Sequence, residues 1–152
     1  MVQHKYNSGL TLLELMIAAA ILVVAISGLL AIFTGLFSLN EGTRKLTLAV
    51  TAAQDKMEEI RDSNLATLYT TYNDTSFNPD GFGFSEAKGA VHIDNLDPDL
   101  LKVYVSISWR ERSNKIVGED ANLNGSFDAG EDQNGDNRLS SPAEISTLIG
   151  SR

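Results

Sequence analysis

Between Leu15 and Leu39 the chain runs for 25 residues without a charged side chain or a proline. As a helix such a run is roughly 37 Å long, more than the ~30 Å hydrocarbon core of a bilayer. A cleaved secretory signal is the alternative, but its apolar region spans about 7–15 residues and ends at a small-x-small cleavage site. Here Ala18, Ala19 and Ala20 stand in the middle of a longer run. The segment therefore reads as a membrane-spanning helix. Before it, Met1 to Gly9 is short and polar, with Lys5 as its one cation and His4 beside it. That bias places the N-terminus in the cytoplasm and the C-terminal part on the exported side. With 152 residues in all, the remainder is enough for one small domain.

The charge and residue content of the chain exclude several chemistries. Twenty acidic residues against twelve basic ones give a formal charge of −8, which repels phosphate and argues against direct nucleic-acid binding. Cysteine is absent, which removes disulfides, thiolate metal sites and a cysteine nucleophile. The two histidines, His4 and His92, belong to no ligand-like or triad-like cluster. No paired-carboxylate, nucleophile or phosphate-loop pattern remains to support an enzyme.

One acid interrupts the apolar segment near its start. Glu14 follows Leu10-Thr11-Leu12-Leu13 and precedes Leu15-Met16-Ile17. A carboxylate at mid-bilayer costs on the order of 2.5–3.5 kcal/mol, less at the interface. Charge and spacing alone leave two readings open: an interfacial acid reaching water, or a buried charge with a partner cation. The run from Gly9 to Ala18, followed by a long apolar helix, resembles the class III signal of type IV pilins and type II secretion pseudopilins. The resemblance covers about the first 30 residues. It implies cleavage after Gly9 by a prepilin peptidase and methylation of the new amine on Leu10. It further implies that Glu14 meets the N-terminal amine of a neighbouring subunit during assembly, in keeping with the rule that a buried charge is tolerated when paired. Leu10 stands where the family usually has Phe, and the helix-kinking proline of major pilins is missing. The first is a substitution such peptidases generally accept, and the second fits a minor pilin or pseudopilin better than a main filament subunit.

Beyond the membrane, Leu39, Leu46, Val50, Ala53, Met57 and Ile60 recur at helical spacing, with Arg44, Lys45, Asp55, Glu58, Glu59 and Arg61 largely off that stripe. The pattern predicts one helix from Leu10 to about Asp62, roughly 80 Å long, whose stripe packs on a sheet. Thr47 to Arg61 also resembles the extended helix of PilV-like minor pilins and minor pseudopilins. Residues 63–89, rich in Asn, Thr, Ser, Asp, Gly and aromatics, read as a surface loop anchored by Tyr69, Tyr72, Phe77, Phe82 and Phe84. Ala90 to Asn95 is a short strand candidate. Val103, Val105, Ile107 and Trp109 alternate with polar neighbours as a half-buried strand, and Ile145, Thr147 and Ile149 give a weaker last one. The expected fold is α+β. A cleaved leader (1–9) precedes a transmembrane and filament-core helix (10–39) and its amphipathic continuation (40–62). The globular head (63–152) then has a small antiparallel sheet over 90–110 and 143–150.

A nearly apolar-free stretch, residues 111–142, separates the last two strands, and so long a connection needs a reason. Asp120-Ala121-Asn122-Leu123-Asn124-Gly125-Ser126-Phe127-Asp128-Ala129-Gly130-Glu131 matches the calcium loop D-x-N-x-N-G-x₅-E at every specified position. Asp120, Asn122 and Asn124 supply side-chain oxygens, Ser126 its carbonyl, Asp128 a direct or water-mediated contact and Glu131 two oxygens. Oxygen ligands at that spacing suit Ca²⁺ better than Mg²⁺. A second, less complete loop starts at Asp132 and continues through Asn134, Asp136 and Arg138, offering a second ion. It has Ala143 at its twelfth place, with Glu144 adjacent. Six carboxylates between Glu119 and Asp136 repel one another unless a cation neutralises them. No amphipathic helix precedes Asp120, so the loop is expected within the last β-hairpin, in a structural role.

Three function classes follow. The first is an assembly subunit of a type IV filament: single-pass in the inner membrane, then drawn into a pilus or pseudopilus. Its partners are other pilin or pseudopilin subunits, the prepilin peptidase and the membrane assembly platform. The second is a filament-tip adhesin or other ligand-binding module. The third, a bitopic enzyme or sensor, has no constellation of residues behind it.

Overall fold

The computed structural model describes residues 11–83, 85–97 and 100–150. Gly9 and Leu10, the expected processing site, and Phe84 lie outside the described residues. The chain divides into two compact units, one ending at Glu41 and one beginning at Gly42.

Helix α1 spans Leu12–Arg61 and contains no proline. It starts where Thr11 accepts the Glu14 N–H on its hydroxyl at 3.2 Å, and the Leu15 N–H bonds the Thr11 carbonyl. Thr11-Leu12-Leu13-Glu14 is thus the S/T-x-x-E pattern of a helix N-terminus, with the carboxylate in the first turn where the helix dipole favours it. In the first unit the large apolar side chains from Leu12 to Phe37 are at least about half exposed. This helix is long and apolar enough to cross a membrane.

The second unit is a five-stranded antiparallel sheet with the end of α1 on one face. The strands are β1 (Thr75–Phe77), β2 (Ala87–Asp97), β3 (Leu100–Arg110), β4 (Ile116–Val117) and β5 (Ala143–Gly150). They lie in the order β1-β2-β3, with β4 and β5 both pairing β3. Lys45 donates to the Arg110 carbonyl at 2.7 Å, and Arg61 donates to Thr147, which stands opposite Val103. Helix and β3 therefore run in opposite directions. Between those two anchors Ala49, Ala52, Ala53, Met57 and Ile60 bury against Val91, Ile93, Leu101, Val103, Val105, Ile107 and Trp109. Each fully buried Ile or Val contributes on the order of 1.5–3 kcal/mol. Ala49, Ala52 and Ala53 give this face of the helix small side chains, and Met57 and Ile60 give it large ones.

Three expectations need correcting. Leu39 and Leu46 belong to the expected stripe but are 71% and 38% exposed, so helix burial begins at Ala49. The segment 63–89, expected as a loop, contains helix α2 (Leu65–Tyr72) and β1. Asn64 caps α2 by accepting the Ala66 N–H at 2.9 Å, and Leu68 is buried in the core. Finally, β2 starts at Ala87, and its pairing with β3 extends from Ala87 opposite Trp109 to Asp97 opposite Leu100, with a register shift after Asp94.

Strand β3 alternates between buried and exposed positions only in its first half. From Val105 to Trp109 every residue is buried, because residues 118–140 cover the outer face of the sheet. Ser106 donates to the Leu139 carbonyl at 2.7 Å. Gly118, at φ +105°, lies so close to Ser108 that a Cβ there would fall 2.1 Å from its Oγ. The acidic segment is thus seated on the sheet.

Candidate metal centre and N-terminal segment

The segment between β4 and β5 is built from side-chain oxygens that accept backbone N–H groups. In the first loop Asp120, 2% exposed, accepts from Asn124 N at 3.1 Å and Gly125 N at 2.8 Å. Asn122 accepts from Asn124 N, and Asn124 from Ser126 N at 2.6 Å. Glu131, also buried, closes the loop by accepting from Ala121 N at 2.9 Å and Asp128 N at 3.2 Å. The amide nitrogens of Asn122 and Asn124 both donate to one oxygen of Asp128. Gly125, at φ +75°, makes the sharp turn, and a Cβ there would be 2.3 Å from Ser76 Cβ. Glycine therefore serves both the turn and the docking of the loop on β1.

Asp120, Asn122, Asn124, Ser126, Asp128 and Glu131 are thus linked in one hydrogen-bonded loop. Burial pushes the Asp120 carboxyl above its ordinary range, and the nearby Glu131 charge adds to that. The hydrogen bonds from Gly125, Asn124 and Leu123 oppose the shift. Asp128 is held below the usual range by the amides of Asn122 and Asn124.

The second loop brings three acids together. Ligand oxygens of Glu119, Asp132 and Asp136 lie within 4.8 Å of one another, so this cluster could hold a metal ion. Among the described residues it is the one group of three acids that meets this distance. Asp132 accepts from Gly135 N at 2.6 Å, and from Asp136 N and Asn137 N at 3.2 Å. Asn134 accepts from Asp136 N, and Asp136 from Arg138 N. Burial raises the Asp136 carboxyl, but hydrogen bonds from Ser140 and Asn134 and the Arg138 charge outweigh it, leaving a net lowering.

Glu119 was missing from the expected set. It is buried and accepts from Gln133 N at 3.1 Å and Ser140 N at 2.8 Å, which ties the start of the segment to its return. Spacing counted forward from Asp132 cannot find a ligand that precedes the loop. The available signal was a further acid directly before Asp120. Glu144, adjacent to the vacant twelfth place, instead pairs with the Arg138 guanidinium. Arg138 also pairs with Asp136 at 2.8 Å and stacks 4.0 Å from the Tyr104 ring centre.

Glu14 lies in the first turn of α1. Its carboxylate has no partner among the described residues, and its backbone N–H is held by Thr11.

Residues 4–30 match the family model described as the prokaryotic N-terminal methylation motif. No curated protein and no solved structure matches the chain. This motif runs into an apolar helix of membrane-spanning length, so the first 30 residues are similar to the N-terminal segment of type IV pilin-like, prepilin-type proteins.

Proposed function

We propose that the chain is a minor type IV pilin or pseudopilin, an assembly subunit whose exported head is stabilised by Ca²⁺. The observation that carries this reading is the methylation motif at residues 4–30 leading directly into the apolar part of α1. Cleavage after Gly9 leaves Leu10 as a methylated N-terminus. Glu14, five places into the mature chain, pairs with the amine of an adjacent subunit. The absence of proline from α1 favours a minor subunit. The partners are other pilin or pseudopilin subunits, the prepilin peptidase and the inner-membrane assembly platform. The chain sits first as a single-pass inner-membrane protein, N-terminus in the cytoplasm, and later in the filament.

In the head, Asp120, Asn122, Asn124, Ser126, Asp128 and Glu131 hold the first ion. Asp132, Asn134, Asp136 and the Arg138 carbonyl, joined by Glu119, hold a second. The support is the loop spacing together with the clustered acid oxygens. When bound, the ions supply positive charge that lets buried carboxylates stay ionised side by side.

Fractionation tests the assembly role. In cells with an active prepilin peptidase, the chain is expected in sheared filaments as well as the inner membrane. With an inactive peptidase it stays in the membrane fraction alone. Equal recovery in filaments with and without peptidase activity would contradict the proposal. A second reading, a ligand-binding module at the filament tip, is favoured by a cleft between the two loops and the outer face of the sheet.

A further inference from the structure

A cleft of about 450 Å³ lies against the outer face of β2 and β3, walled by Gly125–Phe127 of the first loop and Asn137–Leu139 of the second. Its volume is within the range of small-molecule sites, and its walls are loops on a rigid sheet, where binding residues tend to gather. Its charged side chains are already paired. Arg138 is shared between Asp136 and Glu144, and His92 Nδ1 lies 2.8 Å from Asp74. Its one cation is thus already shared between two carboxylates, so the cleft offers no free positive charge, and the acids around the loops disfavour an anion.

Among the described residues, the lining groups that make no side-chain hydrogen bond are the Tyr104 hydroxyl, the Ser126 hydroxyl, the Asn137 amide and His92 Nε2. Beside them the Phe127 ring is 47% exposed and lines the cleft. Both faces of a sugar ring are apolar C–H surfaces and its rim is hydroxyl. An aromatic ring flanked by neutral donors and acceptors complements that shape.

We propose that this cleft binds a neutral saccharide of one or two rings, with Phe127 as the stacking platform and Tyr104, Asn137 and His92 as hydroxyl partners. The cleft is assigned from its own lining. Only its dependence on metal rests on the calcium reading above, since both walls belong to the loops that Ca²⁺ would order.

The test uses the full chain in phosphatidylcholine nanodiscs, which avoids sugar-based detergents. Glucose, galactose, N-acetylglucosamine and their β-linked disaccharides are titrated by saturation-transfer NMR and calorimetry in millimolar Ca²⁺. At least one of these sugars should bind. Phe127→Ala should weaken it by about tenfold or more through loss of the ring. Tyr104→Phe keeps the ring under Arg138 and should weaken it about threefold to tenfold through loss of one hydrogen bond. Calcium-dependent melting measured on each variant separates a lost ligand contact from a lost fold. Sialylated and sulfated sugars should bind less well than their neutral counterparts. If none of the neutral sugars binds, if both variants bind like the parent, or if an extended serine-glycine peptide binds where sugars do not, the assignment is wrong. Sugar binding that persists in chelator upholds the cleft and removes its dependence on metal, whereas a calcium melting shift without sugar binding overturns the cleft and leaves the calcium reading standing.

Discussion

Raising Ca²⁺ from chelated to about 5 mM is expected to raise the melting temperature of the head by about 5–10 °C. Loops of this composition on exported modules bind with dissociation constants of roughly 10⁻⁴–10⁻³ M. At 5 mM that affinity gives about 1–2.3 kcal/mol of linkage to the folded state. A domain of this size gains several degrees per kcal/mol. Asp120→Ala should abolish the shift contributed by the first loop. The comparison must be made within each variant, with and without the ion, because Asp120 also accepts the N–H groups of Asn124 and Gly125 and its loss weakens the ion-free loop. Glu119→Gln should reduce the shift without removing it, because Glu119 belongs to the second cluster alone. No shift, or an equal shift with Mg²⁺, would end the calcium reading.

The second large effect concerns assembly. Glu14→Ala and Glu14→Gln should each lower recovery of the chain in sheared filaments by at least about tenfold, since removing one partner of a buried ion pair costs about 3–5 kcal/mol. The two substitutions differ in a useful way. Glutamine keeps the S/T-x-x-E/Q pattern at the start of α1, whereas alanine removes it. Loss with both variants identifies the charge as the recruiting feature. Loss with alanine alone would assign Glu14 to the helix start that Thr11 shares with it, and would contradict the pairing.

Much of this architecture could be read from residue patterns, for physical reasons. The apolar run and the heptad-like spacing beyond it determine a helix whatever packs on it, and α1 ends at Arg61, beside the expected Asp62. Strand β3 was legible because Val103, Val105, Ile107 and Trp109 alternate over a long stretch. Short elements were not. Helix α2 is held by the Asn64 cap and a single buried side chain, Leu68, and its Thr-Tyr-rich sequence looks like loop. The stripe on α1 was placed too early, since periodicity shows which face is apolar but not where the sheet begins to cover it. At the candidate metal centre, the first loop was visible as local spacing. Glu119 was not, because it joins the second cluster only when the chain returns past Gln133 and Ser140. The burial of Ser106 and Ser108 has the same origin: a polar face is covered by a segment far along the chain.

The central claim, that this chain is processed and assembled as a prepilin, is tested most directly by the mass of the mature chain. Coexpressed with a prepilin peptidase and recovered from membranes or filaments, the chain should begin at Leu10 and carry one additional methyl group on its terminal amine. A chain that retains Met1, or one cut at any other bond, would contradict the account.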